Sequence, residues 1–302
     1  MKRVHIISVG DNRLCELAVA LKGKGHQVTC SGVGIIEPEK DMLIANGLLP
    51  EKEGWNPEVL DKDYDYVIPA NDLPLDNIEL QRAKELNLLV LSFPEYIFHR
   101  FKNKSRMLIC EPESRDSIRS IVYYALRKNN VAFDYVFSKG IKGDPALSWS
   151  YDARIALLED DRTFSPFIKK QINEYYRPHI FVLSHVVKER PDMTDDEYKA
   201  SMKRMLSSIE RDGKFIYVQS DPLLCELAEM VREDVTAMPI AGHAVRTEPD
   251  GSTYLVSRFG DFRIGRHTPE FLTNLNAARI ACRQLGLQDR DFYEAVSKYS
   301  FE

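Results

Sequence analysis

Short apolar runs alternate with stretches of helical period along most of this 302-residue chain, and that alternation leaves few folds open. A strand that is apolar on both sides must be covered on both, and strands separated by helices pair in parallel, so the pattern specifies an α/β fold with helix-covered parallel sheets. The opening is a strand at 4–10, then Leu14, Leu17, Ala18 and Leu21 at helical spacing closed by Gly23 and Gly25, then a strand at 26–30. Strands at 64–68 and 88–91 flank a helix at 77–87 whose Ile78, Ala83 and Leu86 are expected to face the sheet. A basic, polar stretch at 98–105 marks a domain boundary near Lys104, dividing the chain into 1–104 and 105–302.

The second series is a strand at 107–110, a helix at 116–128, strands at 132–138, 153–158 and 179–183, a helix at 195–208, a strand at 214–219, a helix at 223–232 and a strand at 235–240. Short alternating runs at 244–247, 253–257 and 261–264, with Pro249-Asp250-Gly251 as a turn, read as antiparallel strands at the sheet edge. Helices at 269–285 and 289–298 follow.

Composition removes several function classes. With 44% hydrophobic and 29% charged residues the chain is not a disordered one, and no apolar run approaches the roughly 18 residues of a membrane helix, so no membrane insertion is expected. The apolar run after Met1-Lys2-Arg3 is too short for a signal peptide, which makes the cytoplasm the default location. A formal charge of −5 lacks the basic footprint of a nucleic-acid binder. Cys15, Cys30, Cys110, Cys225 and Cys282 are widely spaced in apolar contexts and read as buried free thiols.

Two strand-to-helix turns occupy positions where α/β proteins bind nucleotides. In the first, Ser8-Val9-Gly10-Asp11-Asn12-Arg13, only Gly10 remains of a G-x-G-x-x-G fingerprint, while Arg13 sits where a cation meets a diphosphate and Asp11 opposes it. The second follows the run Met107-Leu108-Ile109-Cys110 and reads Glu111-Pro112-Glu113-Ser114-Arg115-Asp116-Ser117. It has a phosphate loop's place without its chemistry. No glycine lets the backbone approach, Pro112 removes a donor, and Glu111, Glu113 and Asp116 repel a triphosphate. Glu159-Asp160-Asp161 ends a strand at the edge where metal-binding carboxylates are presented, giving Glu159 as a candidate metal ligand against the alternative of a solvated acidic turn. Phe164, Tyr175 and Tyr176 are read as packing residues.

These stretches together resemble the Mur ligases, most closely the UDP-N-acetylmuramate–alanine ligase branch. The first turn, Gly25-His26, and Cys30-Ser31-Gly32 resemble that family's UDP-binding, Rossmann-like N-terminal domain, and Asp76-Asn77-Ile78-Glu79-Leu80 resembles its Asp-Asn-Pro-Glu-Leu. In the central ATPase domain, Glu159-Asp160-Asp161-Arg162-Thr163-Phe164 resembles Glu-Ser-Asp-Ala-Ser-Phe, whose first acid holds Mg²⁺. The segment 184–192 resembles Thr-Asn-Ile-Glu-x-Asp-His-x-Asp, with His185 on its asparagine and Arg190 on its histidine. Ser220-Asp221-Pro222 resembles an Asp-Asp-Pro turn, and Gly265-Arg266-His267 with Asn274-Leu275-Asn276-Ala277-Ala278 resembles Gly-Arg-His-Asn-x-x-Asn-Ala-x-Ala-Ala.

The resemblance implies a Rossmann-like domain followed by a P-loop-NTPase-like central domain. It implies UDP-sugar contacts at Ser8, Gly10, Asn12, Arg13 and Ser31, and makes His185, Arg190, His267 and Asn274 family-matched positions, with no proton-transfer role assigned to either histidine. It also implies ATP and Mg²⁺, but the family's Gly-Thr-His-Gly-Lys-Thr-Thr falls on 111–117, putting Arg115 for the lysine and Asp116 for the Mg²⁺-binding threonine. No cofactor is therefore assigned. The chain stops at Phe301-Glu302, where the family's central domain ends, so the C-terminal Mur domain is expected to be absent. Three functions follow in order: a degenerate, ATP-incompetent relative that binds a UDP-sugar, another peptidoglycan precursor or a protein partner in cell-wall metabolism; an amide ligase with an atypical phosphate site or a domain supplied in trans; and a nicotinamide oxidoreductase, which lacks an acidic ribose ligand after the second strand.

Overall fold

The computed structural model describes residues 1–112, 117–188, 190–265 and 267–299. Glu113, Ser114, Arg115 and Asp116 of the phosphate-loop position lie outside the described residues, as do Glu189, Arg266 and 300–302.

From the N-terminus the chain runs β1 (Arg3–Ile7), α1 (Asn12–Gly23), β2 (Gln27–Ser31), α2 (Glu39–Ala45), β3 (Tyr66–Pro69), α3 (Ile78–Glu85), β4 (Leu89–Val90) and α4 (Phe93–Phe101). It continues with β5 (Ser105–Cys110), α5 (Ile118–Lys128), β6 (Phe133–Val136), β7 (Leu147–Ser148), β8 (Ile155–Glu159), β9 (Phe164–Ser165), β10 (Lys170–Gln171) and α6 (Ile172–Tyr175). The rest is β11 (Ile180–Leu183), α7 (Asp195–Ser208), β12 (Lys214–Val218), α8 (Pro222–Glu229), β13 (Thr236–Ile240), β14 (Val245–Thr247), β15 (Thr253–Ser257), β16 (Gly260–Ile264), α9 (Pro269–Gln284) and α10 (Asp289–Val296). The chain forms two compact units, one of Met1–Lys102, Tyr135–Ser150 and Thr163–Tyr175, the other of Asn103–Asp134, Tyr151–Arg162 and Tyr176–Glu302.

In the first unit four parallel strands take the order β2-β1-β3-β4. β1 is central because it has no polar face to expose: Val4, His5, Ile6 and Ile7 are all buried. On α3, Leu80 and Ala83 are buried with Glu79, whereas Ile78, expected on the sheet side, is 51% exposed; Asn77, capping the helix through the N–H groups of Glu79 and Leu80, sets that rotation. The stretch 98–105 is less polar in its packing than its charges suggest. Phe98 to Phe101 complete α4, which starts at a capping box in which Glu95 accepts from the Ser92 N–H, and Phe101 is fully buried.

In the second unit the parallel strands of its sheet run β13-β12-β11-β5-β8, with β5 between β11 and β8. Lys104 is buried here and ion-paired with Asp134 at 2.6 Å. The runs expected at the sheet edge instead form their own antiparallel sheet, β14-β15-β16, because the turn at Gly251 (φ 83°) folds β15 back on β14 and leaves their hydrogen bonds satisfied locally. All five cysteines are free; Cys15, Cys110 and Cys282 are buried, while Cys30 and Cys225 are only partly so.

Candidate functional site

The turn after β1 builds a cavity in the first unit. Ser8 takes a left-handed conformation (φ 68°), and both its N–H and that of Val9 donate to the Ser31 carbonyl at 3.0 Å, bending the chain sharply into α1. A glycine adopts that conformation readily and a serine at some cost, so the turn keeps a glycine-type geometry on a non-glycine residue. Around it lies a cavity of about 470 Å³ lined by Ser8, Gly10 and Arg13, and also by Asn71, Asp72 and Phe93. Asn71 donates through Nδ2 to the Phe164 carbonyl at 3.2 Å, while its Oδ1 is buried with no hydrogen-bond partner among the described residues. The cavity thus contains an acceptor that asks for a donor.

Three of the five residues expected to meet a UDP-sugar therefore line one cavity. The other two are engaged elsewhere. Asn12 donates to the Ser138 carbonyl at 3.4 Å. Ser31 is buried and donates to Glu79 at 2.5 Å, in a network where Glu79 also accepts from the Asn56 N–H at 2.6 Å and lies 3.5 Å from His5. Burial pushes the Glu79 carboxyl up, but the hydrogen bonds from His5, Ser31 and Asn56 outweigh it and hold the group below its usual value. Phe164, read as packing, is 60% exposed, and Tyr175 meets the Phe98 ring edge-on. Asn71, Asp72 and Phe93 escaped the sequence reading; a turn after β3, where α/β sheets open toward ligands, was the available signal.

Carboxylates seat themselves on helix N-termini at both turns. Asp11 accepts from the N–H groups of Arg13 (2.9 Å) and Leu14 (3.4 Å), capping α1. In the second unit Glu111, in the turn expected at the phosphate-loop position, accepts from the N–H groups of Ile118 (2.6 Å) and Arg119 (2.9 Å). Those amides, with the positive end of the helix, are what a phosphate loop offers its anion. Here the protein's own carboxylate takes them. Burial pushes Glu111 up to about 7 against the pull of the two amides and of the Arg119 charge, with Glu159 adding to the rise.

Glu159, the metal candidate, ends β8 and receives the Arg119 guanidinium at 2.5 Å. Its neighbour Asp160 is paired with Arg162 at 2.7 Å and is only 10% exposed, so Glu159 and Asp160 are each matched by an arginine. No cluster of three or more His, Cys, Asp or Glu side chains suited to a metal exists among the described residues. His185 bonds the Ser184 hydroxyl at 2.9 Å, Arg190 is 54% exposed and pairs with Glu197 and Asp192, His267 lies 3.4 Å from the Gly265 carbonyl, and Asn274 is buried in α9.

The chain is related to the Mur ligases, whose sequences it matches over nearly its whole length and whose fold its two α/β units share. No protein-family model matches it. It is 24% identical to the UDP-N-acetylmuramate–L-alanine ligase of Carboxydothermus hydrogenoformans over 99% of the chain, and 27% identical to that of Limosilactobacillus reuteri over 87%. The chain spans 66% and 58% of those relatives' lengths. A solved UDP-N-acetylmuramate:L-alanyl-γ-D-glutamyl-meso-diaminopimelate ligase from Neisseria meningitides superposes with a TM-score of 0.79 at 16% identity, covering 99% of this chain and 98% of that one. No helix among the described residues is long and apolar enough to cross a membrane.

Proposed function

We propose that this protein is a Mur-ligase relative that takes part in peptidoglycan precursor metabolism by binding a UDP-sugar in the first-unit cavity, without using ATP at the β5–α5 turn. The observation that carries the second half is Glu111. The Glu111 carboxyl group occupies the Ile118 and Arg119 amides and so fills the anion position of α5, leaving those donors to no second anion. The Arg119–Glu159 ion pair supports it further, because a carboxylate already matched by a guanidinium holds Mg²⁺ poorly.

For the first half, Arg13 offers a diphosphate a cation at the mouth of α1, and Asn71 Oδ1 suits an N–H or O–H of a uracil or sugar. Asp11 opposes the diphosphate, so binding in the micromolar range or weaker is expected. The test is calorimetry with UDP-N-acetylmuramate and, separately, with ATP and Mg²⁺. Saturable binding of the UDP-sugar, lost in Arg13→Ala, with no ATP binding supports the proposal. A micromolar ATP dissociation constant would instead favour a working ligase with an unconventional phosphate site, and no UDP-sugar binding at millimolar ligand would leave a protein-partner role.

A further inference from the structure

Glu79 and Ser31 are both buried behind the first-unit cavity, and neither belongs to its lining. Ser31 is nevertheless a junction. Its carbonyl receives the N–H groups of Ser8 and Val9, each at 3.0 Å, which bends the chain out of β1 toward α1. Its hydroxyl donates to Glu79 Oε2 at 2.5 Å. Directly after it the chain leaves the sheet: the Gly32 carbonyl accepts from the Gly54 N–H at 2.8 Å, and Val33 and Gly34 line the cavity. A Cβ on Gly32 would stand 3.4 Å from the Val9 nitrogen and 3.6 Å from Ser8 Cα, so the exit of β2 packs against the turn. One residue therefore receives the turn that leads to Gly10 and Arg13 and also begins the Val33–Gly34 wall.

Glu79 fixes this junction from α3. Its Oε1 accepts from the Asn56 N–H at 2.6 Å, its Oε2 takes the Ser31 hydroxyl, and His5 Nε2 lies 3.5 Å from Oε2. Against the push of burial, these donors keep the carboxyl below its usual value, so at neutral pH it is a carboxylate and accepts only. On the far side of His5, Nδ1 lies 2.8 Å from Thr29 Oγ1, itself 2.9 Å from the Tyr64 hydroxyl. A single buried charge thus joins β1, β2, α3 and the loop at 54–56. Such a charge is a costly way to hold strands that are already paired along their length. The pairing of β1 with β2 ends, however, at Ile7 and Ser31. The side-chain tie is placed where the backbone ladder stops and the cavity turn begins.

We propose that Glu79 and the Ser31 hydroxyl are positioning residues of the first-unit cavity: acting through the Ser31 carbonyl, they hold the Ser8-Val9 turn, and with it Gly10 and Arg13, in place before a ligand arrives. A satisfied buried network is rigid, and a wall that is already ordered does not have to be ordered by the ligand. The consequence for affinity rests on the UDP-sugar reading. The hold on the turn does not depend on it.

The test is amide hydrogen exchange followed by NMR on the full chain, with calorimetry against UDP-N-acetylmuramate beside it. Ser31→Ala keeps the carbonyl and removes only the hydroxyl. In this variant the Ser8 and Val9 amides are expected to exchange about tenfold faster or more, as loss of one charge-assisted hydrogen bond requires, while the amides within β1 keep their rates. Glu79→Gln should act alike, because an amide group presents a donor where the carboxylate only accepts. Ser31→Thr, which retains a hydroxyl, should restore the wild-type rates. A merely structural contribution would speed β1 and the turn together; that result, unchanged rates at Ser8 and Val9, or no rescue by Ser31→Thr would each overturn the proposal. In calorimetry both Ser31→Ala and Glu79→Gln should bind UDP-N-acetylmuramate about tenfold more weakly than the wild type, and wild-type affinity in both also overturns it. A wild type that does not bind this ligand removes the UDP-sugar reading alone, and the exchange rates then decide the positioning role.

Discussion

Replacing Glu111 by glutamine separates a carboxylate that caps α5 from a passive turn residue, through the pH dependence of stability. Burial raises the carboxyl from 4.5 to about 7 in the folded protein, so between those values the folded state holds a proton that the unfolded chain has released. Stability contributed by such a group is present below 4.5 and is lost as pH rises through 7. The rise corresponds to about 3 kcal/mol in all, most of which disappears between pH 5 and pH 8. Glutamine has the same shape and no titration. It keeps an oxygen for one of the two amides of Ile118 and Arg119, at a cost of about 1 kcal/mol for the second. Urea unfolding followed by circular dichroism at pH 5, 6, 7 and 8 should show the wild type ahead of Glu111→Gln at pH 5, and the difference shrinking or reversing by about 2–3 kcal/mol at pH 8. A wild-type-minus-variant difference that is flat across this range would refute the argument.

Further outcomes follow from the same geometry. Ser8→Gly should stabilise the protein by about 1 kcal/mol, read as a higher melting temperature, since only the left-handed serine is relieved. Asp11→Ala should cost about 1 kcal/mol of stability through the lost cap of α1, yet tighten UDP-sugar binding severalfold in calorimetry by removing a negative charge from the cavity. Arg119→Met strands a partly buried Glu159 and should cost about 2–3 kcal/mol, with much of that recovered in the double variant Arg119→Met/Glu159→Gln; additive losses would show that the pair is not coupled.

Much of the fold was legible because it rests on local periodicity. The apolar runs that became β1, β5, β11 and β12 are buried on both faces, and a strand in that situation has few polar residues to confuse the pattern. The boundaries of α7 and β15 coincide with the sequence reading, the first because Thr194 and Glu197 form a capping box. Helices α2 and α4 were missed. α4 carries five buried residues among nine and begins at Ser92-Phe93-Pro94-Glu95, an initiation signal obscured by the charges that follow. The strands β9 and β10 are two residues each, too short to leave any periodic trace.

The residues around Gly10 and Glu111 determine by themselves that these two strand-to-helix turns are poor in glycine and carry carboxylates, because composition and spacing are properties of the chain. Where each carboxylate points is not. Only the tertiary structure places Glu111 on the amides of Ile118 and Arg119, turns Ser31 inward to Glu79, gives Glu159 to Arg119, and brings Asn71 and Phe93 to the cavity beside Arg13. The reason is that a buried charge must find its partner in space, and for Ser31 with Glu79 or Arg119 with Glu159 that partner lies many residues away, beyond the reach of any local pattern.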